Sequence, residues 1–254
     1  MVEMGRIDIC CEVSMMSSHV AMPREGHLQQ VYHIFAYLKK HHNCQLMLDS
    51  TYPTILESDF PNYDWENTYL DAREDTPSNL PEVLGYEFVV RAFVDADLAG
   101  NKLNRRSRTG FIIFINSAPV YWLSKAQKRV ETSSYGSEFL AMRHCCEYIR
   151  GLRYEICMMG IPMNHHAFIY GDNKSVLHNT TKPDSTIKNK AHSIDFHFVR
   201  EGCASDEWKT AYCKTDFNPS DMCTKCLPAG PNRYRKVRSV LYDIYPEPDD
   251  VKFK

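Results

Sequence analysis

Four acidic residues occupy positions from which they could act together in this sequence of 254 residues. Asp95 ends a predicted strand, Asp172 follows another strand, Glu138 lies in the first turns of a predicted long helix, and Asp221 lies at the start of a short one. Acids that are distant in sequence can converge at one rim of a sheet, where like charges disfavour ionisation unless cations neutralise them. Carboxylate oxygens suit Mg²⁺ or Mn²⁺, and a pair of such ions can assist phosphodiester hydrolysis.

The same placement has a second interpretation, which the pattern alone leaves open. Carboxylates at strand ends and helix starts commonly act as caps or as partners of the helix dipole. Asp97, two residues beyond Asp95, could replace it as a ligand or could bind no metal.

The elements that must position these acids follow a regular order. Three strands come first, a long helix capped by Ser133 or Ser134 follows, and strands then alternate with helices. This order predicts an α/β protein with a mixed sheet that is flanked by helices. The predicted strands are Phe88–Asp95, Gly110–Asn116, Val120–Leu123, Ala167–Tyr170 and Glu207–Lys214; the predicted helices run to about Gly160, from Lys174, over Ile187–Ala204 and from Asn218-Pro219.

Composition limits the classes of protein to consider. Hydrophobic residues make up 43% and charged residues 24% of the chain, which is ordinary for a globular protein. The net charge of −2 excludes a general positive field, so any nucleic-acid site must be a local patch of basic residues. No apolar run is long enough to span a membrane, and no signal peptide follows Met1, so we expect an intracellular protein with free thiols and no membrane partner.

The sequence before the first of these strands has a different character. Residues 24–40 predict a helix with one apolar face, which is formed by Leu28, Val31, Tyr32, Phe35 and Leu38. Residues 50–86 hold eight acidic residues and a single base, Arg73, together with four prolines. We interpret this stretch as a solvated and partly irregular connector.

Four sequence blocks carry a resemblance to a known family. They are FVDADLAGNKLNRRSRTG (93–110), YWLSKAQKRVETSSYGSEFL (121–140), YGDNKSVL (170–177) and the stretch 197–228, which runs from HFVREG to NPSDMCTKCLP. In order and approximate spacing they resemble the C-terminal part of Ty1/copia retrotransposon polyproteins. The resemblance implies a ribonuclease H fold with a mixed five-stranded sheet. It implies that two Mg²⁺ or Mn²⁺ ions are bound by Asp95, Glu138, Asp172 and Asp221, and that the RNA strand of RNA–DNA hybrids is the substrate.

The N-terminal part is also similar to this family. Residues 5–40 look like the stretch after the polymerase palm, which ends in thumb-type helices. The implied organisation is a thumb-like remnant (1–49), an acidic connector (50–87), a ribonuclease H domain (88–230) and a C-terminal tail (231–254). The paired-aspartate block of the polymerase is absent upstream, so we expect no polymerase activity; the remainder of a reverse transcriptase polyprotein is a possible partner.

Several polar residues beside these blocks are candidates for binding nucleic acid. Arg105, Arg106 and Arg108 lie in the predicted turn between the first two strands, and Lys125 and Lys128 follow the third; guanidinium groups can bind phosphates bidentately. A solvated hairpin turn is the alternative.

Two further polar residues lie close to the blocks that carry the acids. Asn173 could contact a ribose 2′-OH or a base edge, or it could cap a helix. His197 could shuttle a proton near the metal site, or it could be a packed or surface histidine.

Three hypotheses follow from the sequence. The first is a two-metal endoribonuclease, and the second is a catalytically inactive nucleic-acid-binding or interaction module derived from a retroelement. The third is a chain that cannot fold alone because its thumb-like helices expect a missing palm, which exposed apolar surface at Val31, Phe35 and Leu38 would support.

Overall fold

A five-stranded mixed sheet forms the centre of the protein, in a computed structural model that describes residues 2–187 and 190–244. The strands lie in the order β4-β3-β2-β5-β6, where β2–β3–β4 is antiparallel and β5 and β6 run parallel to β2. The α/β class and the mixed sheet of five strands predicted above are therefore confirmed. The strands are β2 (Val90–Asp97), β3 (Arg108–Ile115), β4 (Ala118–Ala126), β5 (Ala167–Gly171) and β6 (Trp208–Tyr212).

Eight α-helices occur in the described ranges. Ser133 caps the longest one, as predicted, because its hydroxyl accepts a hydrogen bond from the Gly136 N–H at 3.1 Å. None of the helices within the described ranges combines the length and apolar character needed to cross a bilayer. The helices are α1 (Cys10–Ser17), α2 (Glu25–Lys40), α3 (Glu66–Tyr69), α4 (Ser134–Met158), α5 (Lys174–Thr181), α6 (Ser193–Ala204), α7 (Asp221–Thr224) and α8 (Pro231–Arg238).

The sheet separates two hydrophobic cores, and the alternation of side chains along β3 shows why. Phe111 and Ile113 pack into a core with α4 and α6, whereas Ile112 and Phe114 pack into a core on the opposite face. Because both faces of β3 are buried, this strand reads as a continuous apolar run.

Segments from both ends of the chain build the second core. Ile7 and Cys10 enter it from the N-terminal part, and Val237 and Leu241 enter it from the C-terminal part. A two-residue strand, β7 (Leu241–Tyr242), pairs antiparallel with β1 (Gln45–Leu46). Residues 231–244, which the sequence analysis described as part of a tail, are therefore folded; residues 245–254 lie outside the described ranges.

The connector is largely irregular, as predicted, but it packs on the sheet rather than standing in solvent. The Phe60 ring is buried against Phe168 and Tyr170, with centroid distances of 4.8 and 5.3 Å. Glu74 forms a bidentate ion pair with the buried Arg153 of α4. Aromatic burial and this ion pair hold the acidic segment against the domain.

Helix α2 leaves most of its apolar face in solvent. Leu28, Tyr32 and Phe35 are half or more exposed, whereas Leu38 is buried. The exposure expected for a thumb-like helix without its palm is therefore observed at Phe35 and not at Leu38.

Candidate active site

Three of the four predicted acids meet at the edge of the sheet. Phe93 of β2 lies opposite Tyr170 of β5, and the same parallel register brings Asp95 level with Asp172, one residue past the end of β5. Glu138 reaches them from the second turn of α4, which packs on β2. One carboxylate oxygen from each of Asp95, Glu138 and Asp172 lies within 4.8 Å of the others.

Hydrogen bonds orient two of these three carboxylates. The Thr224 hydroxyl donates to Asp95, and the Thr215 hydroxyl donates to Asp172 at 2.8 Å. The two donors come from different segments, so the positions of both acids depend on the assembled fold.

The electrostatics of the three acids call for a cation. Burial, followed by the charges of Asp95 and Asp172, raises the pKa of Glu138 to about 9. Burial is also the main reason why the pKa of Asp95 is raised to about 6, although Lys225 opposes the shift. The three carboxylates offer hard oxygen ligands, and their mutual repulsion disfavours the ionisation of all three without a cation. Both properties fit a divalent ion such as Mg²⁺ or Mn²⁺.

Asp221 is placed differently from the other three acids. Its Oδ1 lies 2.7 Å from the Nζ of Lys225, and its Oδ2 pairs with the Nζ of the buried Lys236. Burial raises the pKa of this carboxyl, but the hydrogen bonds from the two lysines outweigh burial and lower it. The Lys225 ammonium also lies 3.2 Å from Asp95, so Lys225 connects Asp221 to the group of three acids.

Gly110 allows the helix that carries Asp221 to approach the sheet. Gly110 lies opposite Asp95 in the β2–β3 register. A Cβ atom at this position would lie 2.5 Å from the Thr224 side chain and 2.8 Å from the Cys223 side chain. A larger residue would therefore push α7, and Lys225 with it, away from Asp95.

Sequence reasoning did not identify the two lysines. For Lys225 a signal was present, because a lysine four residues after an aspartate on a helix often pairs with it. For Lys236 the sequence held no local signal, since a loop and part of another helix separate it from Asp221.

The basic candidates divide into exposed and buried residues. Arg105 and Arg106 are exposed in the β2–β3 loop, and Lys125 and Lys128 are exposed around the end of β4. Asp95, Gly110 and Ser124 form one row across the sheet, which places the end of β4 about 10 Å from the acids. Those four exposed residues, which we call the basic strip, therefore lie at the end of the sheet that carries the acids.

Arg108 was expected in the turn but belongs to β3. It is buried, and its Nη1 donates to the hydroxyl oxygens of Ser14 at 2.5 Å and Ser124 at 3.2 Å. The expectation that Arg108 binds phosphate is corrected: its guanidinium joins α1 to β4.

Asn173 and His197 have partners within the protein. The Asn173 side-chain oxygen accepts hydrogen bonds from the N–H groups of Ser175 and Val176, so this residue caps α5. His197 is exposed on α6, where its Nδ1 lies 2.9 Å from the Tyr69 hydroxyl of the connector. The structure thus places His197 against α3 rather than among the three acids.

The chain is similar in sequence to Pol polyproteins of plant retrotransposons, and its mixed five-stranded sheet fits a ribonuclease H region of such a polyprotein. The chain is 25% identical over 222 residues to the retrovirus-related Pol polyprotein from transposon RE1 of Arabidopsis thaliana, which is 87% of this chain and 13% of that protein. It is 26% identical over 144 residues to the corresponding polyprotein from transposon TNT 1-94 of Nicotiana tabacum, which is 57% of this chain and 11% of that protein. The chain thus spans about a tenth of the length of these relatives.

The chain was also compared with family models and with solved structures. No family model matches the chain. A solved structure of LC11-RNase H1, isolated from compost, shares 11% identity at a TM-score of 0.43 and covers 54% of this chain and 92% of its own.

Proposed function

We propose that this chain hydrolyses the RNA strand of RNA–DNA hybrids in a reaction that depends on divalent metal. The observation that carries the proposal is the convergence of Asp95, Glu138 and Asp172 at one end of the sheet. The relatives support it, because they are Pol polyproteins of retroelements. A bound divalent ion supplies positive charge that offsets the charge developing on a phosphodiester during hydrolysis.

The chain's own residues have separable roles in this proposal. Asp95 and Asp172 hold the ion, and Glu138 completes the ligand set from α4. The basic strip binds the hybrid through its phosphates, which positions the backbone without reading sequence. Because the chain is about a tenth as long as its relatives, we propose the remainder of such a polyprotein as a further partner.

The test uses an end-labelled RNA strand paired with DNA, in Mg²⁺, in Mn²⁺ and with chelator. We expect metal-dependent cutting of the RNA strand, and at least about a hundredfold loss of rate in Asp95→Asn and Glu138→Gln. Asp97→Asn is the matched control, because Asp97 lies on the same strand but outside the group of three acids. Equal cutting of RNA–RNA or DNA–DNA duplexes would contradict the proposed substrate.

A second candidate is a module that binds nucleic acid without cutting it. The observation in its favour is that two lysines pair with Asp221, which leaves three converging acids where four were predicted. Salt-dependent binding of the hybrid by a folded protein, with no cutting in either metal, would favour this candidate over the nuclease.

A further inference from the structure

A single ammonium group joins the two parts of the acidic site. On one side lies the group of three acids, and on the other lies Asp221 with its buried partner Lys236. The Nζ of Lys225 lies between them, 3.2 Å from Asp95 and 2.7 Å from Asp221. A lysine therefore lies between Asp95 and Asp221, two of the four acids that the sequence analysis expected to bind metal.

The charges of the site match one divalent ion. When all four carboxylates are ionised they carry four negative charges, and the two lysines compensate two of them. The nearby Asp97 adds one negative charge, which Arg108 offsets. One divalent ion neutralises the remainder, whereas two divalent ions would leave the site with an excess of positive charge. Like charges repel more strongly in a partly buried site than in bulk water, so the excess would weaken binding of a second ion.

The fold holds Lys225 in this position. Lys225 directly follows α7, which contacts the sheet at Gly110, and the Asn218 amide just before α7 donates to the Val94 carbonyl at 2.9 Å. Lys236 anchors α7 from the other side through Asp221. The lysine side chain is 38% exposed, yet both of its carboxylate partners are buried.

We infer that this site holds one divalent ion, and that Lys225 supplies the second positive charge in place of a second ion. Asp221 then acts as a positioning residue, because it holds the Lys225 ammonium against Asp95 and does not bind metal. This inference rests on the proposed function, since it takes Asp95, Glu138 and Asp172 as the metal ligands.

The test counts bound Mn²⁺ in the whole chain, by calorimetry and by the electron paramagnetic resonance signal of free Mn²⁺, without substrate. We expect one ion in the wild type and at least a tenfold weaker affinity in Glu138→Gln. Asp221→Asn should keep one ion, with an affinity within about threefold of the wild type. Lys225→Met should bind Mn²⁺ about tenfold more tightly or take up a second ion.

Two further variants keep the test decisive. Lys225→Arg retains the positive charge and should keep one ion. This variant still tests the inference if circular dichroism shows that Lys225→Met does not fold. Lys174→Met is the matched control, because Lys174 lies two residues from Asp172 but over the Tyr212 ring, and it should leave the count and the affinity unchanged.

The outcomes separate this inference from the proposed function. Two ions of similar affinity in the wild type, or loss of an ion in Asp221→Asn, would overturn the role of Lys225 while leaving metal-dependent cutting intact. A folded wild type that binds no Mn²⁺ would overturn both.

Discussion

Lys236 of α8 and Asp221 of α7 form an ion pair in which both side chains are almost fully buried. Helix α8 also carries Arg233. The Nη2 of Arg233 donates to the Asp8 carbonyl at 3.1 Å, and its Nη1 pairs with Glu12. Helix α8 therefore links the N-terminal segment to the helix beside the candidate site. We conclude that the N-terminal segment and residues 231–244 form part of the structure that supports the site.

Loss of the Lys236 ammonium should destabilise the fold. We expect Lys236→Met to lower the free energy of unfolding by about 3 kcal/mol, because it leaves the Asp221 carboxylate buried without one of its partners. Urea denaturation followed by circular dichroism measures this change. The double variant Asp221→Asn with Lys236→Met should recover part of the loss, since no buried charge is then left unpaired. A Lys236→Met variant as stable as the wild type would show that the pair contributes nothing.

The metal-free protein should lose stability as the pH rises, because of Glu138. Its pKa is raised from 4.5 to about 9 by burial and by neighbouring acids. Between these two values the folded chain binds more protons at this residue than the unfolded chain does, so folding becomes less favourable as the pH increases. In chelator, Glu138→Gln should melt above the wild type by about 3–6 °C at pH 9, and the difference should shrink towards pH 5.

The exposed Glu155 of the same helix offers a matched control for this titration. Glu155→Gln should change the melting temperature little at either pH. If the difference in melting temperature between Glu138→Gln and the wild type stays constant from pH 5 to pH 9, the raised pKa of Glu138 is contradicted.

Arg106 and Arg108 are two residues apart, but their variants should behave differently. Arg106 is exposed in the basic strip, so Arg106→Ala should weaken hybrid binding and reduce the slope of log affinity against log salt by about one. Arg108 is buried between Ser14 and Ser124, so Arg108→Ala should lower the melting temperature instead. Fluorescence anisotropy at several salt concentrations, with a thermal melt of each variant, distinguishes these effects. The assignment fails if Arg106→Ala lowers the melting temperature as much as Arg108→Ala does.

The connector should detach when its buried aromatic residue is removed. Phe60 packs against Phe168 and Tyr170, so Phe60→Ala should increase the rate of tryptic cleavage after Arg73 several-fold. The more exposed Tyr63 provides the control, and Tyr63→Ala should change this rate little. An unchanged rate in Phe60→Ala would show that other contacts, such as the Glu74–Arg153 ion pair and the Tyr69–His197 hydrogen bond, hold the segment without Phe60.

The strands of the sheet were predictable because their patterns are local. Every predicted strand from Phe88 onwards corresponds to a strand of the sheet, with ends that differ by a few residues. The convergence of Asp95 and Asp172 follows from the parallel pairing of β2 with β5; the order of elements predicted a mixed sheet but not this pairing. The position of Glu138 relative to Asp95 depends on how α4 packs on β2. The sequence pattern predicts the helix but not this packing.

The features that escaped prediction depend on contacts between distant segments. Residues 231–244 were assigned to a tail because they follow the last of the matching sequence blocks, yet Val237 and Leu241 are buried against residues from the start of the chain. The β3 strand begins earlier than predicted, which moves Arg108 from the turn into the sheet. The spacing of Asp221 and Lys225 indicated at most that these two residues pair, and could not reveal that the same ammonium also contacts Asp95.

The rate of RNA-strand cutting in Asp172→Asn tests most directly the claim that the converging acids are the functional centre. Asp216→Asn, an exposed acid one residue after the Thr215 that donates to Asp172, is the control under the same Mn²⁺ concentration. We predict that Asp172→Asn loses at least about a hundredfold in rate while Asp216→Asn cuts like the wild type. A folded Asp172→Asn variant that cuts the hybrid at the wild-type rate would contradict the account.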